Sequence, residues 1–174
     1  MKSFSFDSKF GKYLLQFIQH YNHRKYWRRR AIVIDPANKT NVLLKLYYLY
    51  YIKRTDAYHN CSFGTNLNSG TTFETPPILP HGPNGIIVGH DLKIGKNVRI
   101  YQQVTLAHGG SVVGDNVIFG AGSRLLGGSH VGHYCKIGAN AVVVEDIGDY
   151  AVVVLQKPRV IYKSKEEMEN DRTD

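Results

Sequence analysis

Cysteine, tryptophan and methionine are scarce in this 174-residue chain, at two, one and two. With Cys61 and Cys135 as the only thiols, neither a disulfide framework nor a Cys-rich metal site can hold the fold together. No uncharged apolar run reaches the roughly 18 residues of a membrane-crossing helix, and no cleavable apolar leader opens the sequence. The expected address is therefore cytoplasmic. Acidic residues are nearly missing from the first 59 positions, which carry twelve Lys/Arg against Asp7, Asp35 and Asp56, a net +9, while the remainder nets −1. The overall charge of +8 thus belongs to the N-terminal segment. Arg24, Lys25, Arg28, Arg29 and Arg30, beside Tyr26 and Trp27, expect anionic company. Peripheral contact with the anionic inner face of a membrane explains them as easily as nucleic acid, for which no recognised binding fold is present.

What the chain has in quantity is a six-residue repeat. Aliphatic residues recur at Val88, Ile94, Ile100 and Leu106 and, after one extra residue, at Val113, Phe119, Leu125, Val131, Ile137 and Val143. Glycine follows six of them, and a small or apolar residue lies four places on. A period of six suits neither a helix at about 3.6 nor a plain alternating strand, so the chain must turn a corner once per repeat and stack its turns. The expected fold is mainly β, a left-handed parallel β-helix with an N-terminal α-helical segment. Asn97, Asn116 and Asn140 fall at recurrent corners, where asparagine tolerates the left-handed backbone. The extra residue lies in residues 107–111, where Gly109 and Gly110 permit an outward bulge that exposes His108.

Three regions follow: a basic, mainly helical segment at 1–59, the β-helix at 60–162 and a polar tail at 163–174. Asp35-Pro36 and Asn38 interrupt the helical stretch, giving two helices or a helix and a looser arm, with Lys53 and Arg54 suited to a helix C-terminus. The segment should cap one end of the solenoid, and Tyr47, Tyr48, Tyr50 and Tyr51 need a surface to cover. Residues 60–87, broken by prolines, form an irregular first coil. His130 and His133 lack the partners of a zinc set, so no metal is expected. His20 and His23 read as solvated.

Proton abstraction near neutral pH needs a base poised there, and imidazole is the side chain with that ordinary pKa. His81 stands on a rigid corner between Pro80 and a Gly-Pro-Asn-Gly turn. The run Phe63-Gly64-Thr65-Asn66, with His81 fifteen residues after Asn66, and the later segments Ile100-Tyr101-Gln102-Gln103-Val104 and Phe119-Gly120-Ala121-Gly122-Ser123-Arg124, resemble the serine acetyltransferase-like branch of the hexapeptide-repeat acyltransferases.

The resemblance implies acetyl-CoA as donor, a homotrimer with sites between subunits, His81 as general base, and Asn66 in place of the family's partner aspartate. It implies a coenzyme strip along Ala107, Gly120, Ala121, Ser123, Arg124 and Ala139, with Lys157 and Arg159 near the adenine end, and acceptor contacts from His108 and Gln103. The Leu-Pro-His-Gly run resembles O-acetyltransferases of capsular and surface polysaccharides. The loop after Leu106 is too short for the basic element with which serine acetyltransferases hold their acceptor. The expected acceptor is accordingly a carbohydrate hydroxyl, with serine, or a non-catalytic scaffold, as alternatives.

Overall fold

The computed structural model describes residues 8–156. Three helices come first: α1 (Lys9–Ile18), α2 (His23–Ile34) and α3 (Val42–Tyr58). The break at Asp35 and Pro36 was expected, but a second one follows α1, where His20 takes a left-handed φ of 52° and Asn22 caps α2 by accepting from the Lys25 amide at 2.9 Å. Asn41 caps α3 in the same way, accepting from Leu43 at 2.8 Å. The helix does not stop at Lys53 and Arg54. It runs one further turn, until His59 bonds back to Thr55 and Asn60 adopts a φ of 48°.

The rest is a parallel β-helix built from two-residue strands. Its coils are β1 (Ser62–Phe63) and β4 (Thr72–Phe73); β5 (Ile87–Val88), β6 (Lys93–Ile94) and β7 (Arg99–Ile100); β8 (Thr105–Leu106), β9 (Val112–Val113) and β10 (Ile118–Phe119). Above them lie β11 (Arg124–Leu125), β12 (Lys136–Ile137), β13 (Val142–Val143) and β14 (Val152–Val153). Strands β2 (Thr65–Asn66) and β3 (Ser69–Gly70) form an antiparallel hairpin that juts from the first coil. Three faces result: β1-β5-β8-β11-β13, then β4-β6-β9, then β7-β10-β12-β14.

The register records the irregularities read from the repeat. Ile87 pairs with Thr105 one regular coil later, whereas Thr105 pairs with Arg124, one residue further on because of the bulge. Ser62 pairs with Ile87, so the first coil is the longest, as its prolines and hairpin require. Asn97, Asn116 and Asn140 have φ of 55°, 58° and 57°. Inside, Phe63, Val88, Leu106, Leu125 and Val143 stack as one buried column. Cys61 and Cys135 are buried free thiols.

The helical segment closes the first coil through a buried arginine. Arg30 on α2 donates from Nε to Thr65 Oγ1 at 2.9 Å and from Nη2 to the carbonyls of Phe63 and Thr71, each at 2.6 Å. Burial pulls its pKa down from 12.5 to about 10. Beside it the Tyr26 hydroxyl donates to Asp56 Oδ1 at 2.6 Å, and desolvation raises the Asp56 carboxyl from 3.8 to about 6. Trp27 packs edge-on against Phe63 and Phe73. Of the five tyrosines on α3, Tyr48 and Tyr51 are partly buried against the core, while Tyr47, Tyr50 and Tyr58 are exposed.

Candidate active site

The chain passes from the first face to the second, the second to the third, and the third back to the first, so each coil has three corners. His81 lies at the third-to-first corner, between the bridge residue Ile78 and β5. Its loop is pinned locally: Gly82 bonds to Leu79 O, Ile86 to Pro83 O and Gly85 to His59 O. Gly85 is required here, since its φ is +67° and a Cβ would stand 3.2 Å from Gln103 Cγ. The Asn84 side chain ties the loop to the helical segment. Its Nδ2 donates to His81 O at 3.0 Å, so its Oδ1 faces His59 Nδ1 at 2.9 Å and accepts the proton of that ring nitrogen.

The imidazole of His81 is exposed and its ring centre lies 5.6 Å from that of Tyr101. It opens on a groove of about 1040 Å³ whose other wall is helical, with Ile18, Tyr21, His23, Tyr58 and His59. His23 is exposed, as expected, with the Tyr21 hydroxyl 2.9 Å from its Nδ1, and partial desolvation lowers its pKa. His59, Asn84 and Tyr58 were not foreseen as parts of this wall. Only the folding of α3's end over residues 79–86 brings them there.

Gln103 sits at the same corner one coil up, where its amide bonds to Asn84 O at 3.1 Å. Gly120, Ala121 and Ala139 continue that corner upward, and Arg124 opens the strand beside it, exposed. Ser123 must leave the coenzyme strip as a side-chain contact, because its hydroxyl points into the core and the residue is 0% exposed. Lys157 and Arg159 lie outside the described residues.

The remaining candidates stand at a different edge of the prism. Asn66, Ala107 and His108 occupy the first-to-second corner, and Asn66 makes no hydrogen bond to His81. Here Asp91 Oδ2 accepts from the amides of Gly109 and Gly110, each at 3.0 Å, which, led by the Gly109 bond, holds its carboxyl below the usual range. The two glycines take φ of 124° and 72°, as the expected bulge demands. His108 stacks on His90 with ring centres 4.9 Å apart, and its Nδ1 accepts from the His90 amide at 3.3 Å. That nitrogen is then unprotonated, so its 3.7 Å approach to Asp91 is proximity rather than an ion pair. Among the described residues no group of three or more His, Cys, Asp or Glu is placed to hold a metal ion.

Residues 110–145 match the family described as bacterial transferase hexapeptide (six repeats). A serine acetyltransferase of Helicobacter pylori is 30% identical over 167 residues, covering 80% of this chain and 97% of that protein, and one of Mycobacterium tuberculosis is 37% identical over 109 residues, covering 59% and 47%. The chain belongs to the serine acetyltransferase family of hexapeptide-repeat transferases. It spans about half the length of several of the curated relatives it matches. Among solved structures, a serine acetyltransferase in complex with CoA aligns with a TM-score of 0.58 at 27% identity, covering 75% of this chain and 54% of that one. Isoform 3 from Entamoeba histolytica, in complex with cysteine, gives 0.58 at 27%, covering 72% and 46%.

These likenesses overturn the expectation of a polysaccharide O-acetyltransferase with a carbohydrate acceptor, and the closeness to capsular enzymes is not supported. That expectation leaned on one four-residue run and on a short loop. The loop after Leu106 is indeed short, but the lengthwise match to the Helicobacter protein outweighs a local deletion.

Proposed function

We propose that the chain is an acetyl-CoA-dependent O-acetyltransferase whose acceptor is the hydroxyl of serine, with His81 as general base. The lengthwise similarity to the Helicobacter pylori serine acetyltransferase carries this reading. An exposed imidazole on a pinned loop at the mouth of a groove supports it chemically. His81 takes the proton of the serine hydroxyl as its oxygen attacks the thioester carbonyl; the C–S bond breaks, and the coenzyme A thiolate leaves and is protonated. The products are O-acetylserine and free thiol, with no acyl-enzyme between them. Gly120, Ala121 and Ala139 leave the corner low enough for the pantetheine arm, and Arg124 supplies a cation for a phosphate.

The assembly belongs to the same proposal. In one copy the His81 corner and the corner bearing Asn66, Ala107 and His108 lie along separate edges, so a site using both takes them from two copies. A parallel homotrimer sets each first edge beside a neighbour's second. A cytoplasmic address accords with acetyl-CoA as donor.

The test is coenzyme A release, read with a thiol reagent, from purified protein given acetyl-CoA with and without L-serine. Serine-dependent release is expected, falling by about 10²–10⁴ in His81→Ala. Release indifferent to serine, or undiminished in a folded His81→Ala protein, overturns the assignment.

A further inference from the structure

The first turn of α2 carries Arg24 and Lys25 and no acidic residue, although the positive end of the helix dipole disfavours cations there. Arg28 and Arg29 follow one turn on, and these four side chains with Tyr48 bound a cleft of about 410 Å³. Arg29 lies over the rings of Tyr47, Tyr48 and Tyr51, at 4.2 Å from the last, yet its Nη1 is buried with no hydrogen-bond partner among the described residues. A cleft ringed by cations that its own helix disfavours fits an anion.

The cleft adjoins apolar surface. On α3, Leu43, Tyr47 and Tyr50 fall at i, i+4 and i+7 on one face and are 73%, 55% and 62% exposed. Tyr47 belongs to both surfaces, since Arg29 rests over its ring. Large apolar side chains beside cations, on helices lying across the end of a solenoid, make an interfacial surface rather than a spanning one. Among the described residues no helix is long and apolar enough to cross a membrane. A second copy is the wrong occupant, because it would bring the same cations. Duplex or single-stranded nucleic acid would use the cations and leave Leu43 unused.

We infer that the exposed faces of α2 and α3 form a docking surface for an anionic lipid bilayer, with lipid phosphates in the Arg24–Arg29 cleft and Leu43, Tyr47 and Tyr50 entering the headgroup boundary. This goes beyond acetyl transfer and does not depend on it. In the proposed parallel assembly, three such surfaces face the same way and bind together.

The experiment is co-sedimentation of the full chain with vesicles of phosphatidylcholine alone and of phosphatidylcholine mixed with phosphatidylglycerol. Binding to the mixed vesicles only, weakened by added salt, is expected. Arg24→Glu/Lys25→Glu/Arg28→Glu should lower the affinity on the order of a hundredfold per copy, from about fivefold for each cation lost. Leu43→Ser/Tyr50→Ser should lower it while leaving circular dichroism, oligomeric state and acetyl transfer unchanged. Should the charge-reversed protein fail to fold, the salt dependence of the wild type decides. Equal binding to both vesicles, binding to neither, tighter binding to a single-stranded oligonucleotide, or a smaller oligomer in the Leu43/Tyr50 variant would each overturn the inference.

Discussion

Replacing Arg30 by methionine tests how the helical segment is fastened to the solenoid. Three buried acceptors, Thr65 Oγ1 and the carbonyls of Phe63 and Thr71, lose their donor. At about 2 kcal/mol for each orphaned group the loss is about 6 kcal/mol. Against this, the fall of the Arg30 pKa from 12.5 to about 10 corresponds to a net penalty on the buried charge of about 3 kcal/mol, which methionine escapes. The net destabilisation is about 3 kcal/mol, or roughly 6–12 °C in melting temperature for a chain of this size. Thermal unfolding followed by far-ultraviolet circular dichroism reads it directly. Arg30→Lys should fall between, since one ammonium cannot reproduce a planar fork that reaches Thr65, Phe63 and Thr71 and, at 3.4 Å, the Gly64 carbonyl. Because α2 and α3 bring Tyr21, Tyr58 and His59 to the groove, Arg30→Met should also raise the KM of the proposed reaction more than it lowers kcat. A variant melting within about 2 °C of wild type would refute the reasoning, for it would mean those acceptors find other partners or that the buried charge contributes nothing.

Two further predictions concern the seam between copies and the buried carboxyl. If each site joins the His81 corner of one copy to the His108 corner of the next, mixing equal amounts of His81→Ala and His108→Ala subunits, each impaired alone, restores about a quarter of the sites. Activity no better than the mean of the two parents would refute a shared site. Asp56 has a folded pKa raised to about 6 against 3.8, so the folded state binds the extra proton. Its contribution is fully present below about pH 4 and is lost as pH rises through 6, about 3 kcal/mol in all. Urea unfolding at acid and neutral pH should show that slope in the wild type and lack it in Asp56→Asn; equal slopes would show that the carboxyl is not desolvated.

The solenoid was legible because its physics is local: every sixth residue faces inward, and a slipped repeat is visible as a slip. The same rule located the bulge at His108 and the positive φ of the three corner asparagines. The N-terminal segment was less legible. Its second break depends on Asn22 capping α2, and asparagine also occurs in helices that it does not cap. The extra turn of α3 depends on Thr55 and Asp56 being buried against the solenoid, which no periodicity announces. Around the site, a count along the chain joined Asn66 to His81, but the folded coil runs through two faces and a corner between them. The wall made by His59 and Asn84 was out of reach for the same reason. Their contact joins a helix end to a loop 25 residues on, through a single side-chain bond.

Where catalysis would occur follows from the shape of a prism. Its edges are convex, and a convex edge cannot enclose a reactant or exclude water. His81 stands on such an edge, in the longest and least regular coil, where the repeat yields to prolines and a turn. One wall comes from within the chain, because α2 and α3 close the end of the solenoid and lower Tyr58 and His59 beside the imidazole. In the proposed assembly the other comes from a neighbouring copy, by the edge where a glycine bulge lifts His108 clear of the coil and Asp91 holds the bulge by two amides. Both interruptions of the repeat are thus the places where the prism stops being convex, and the proposed reactive centre draws on both.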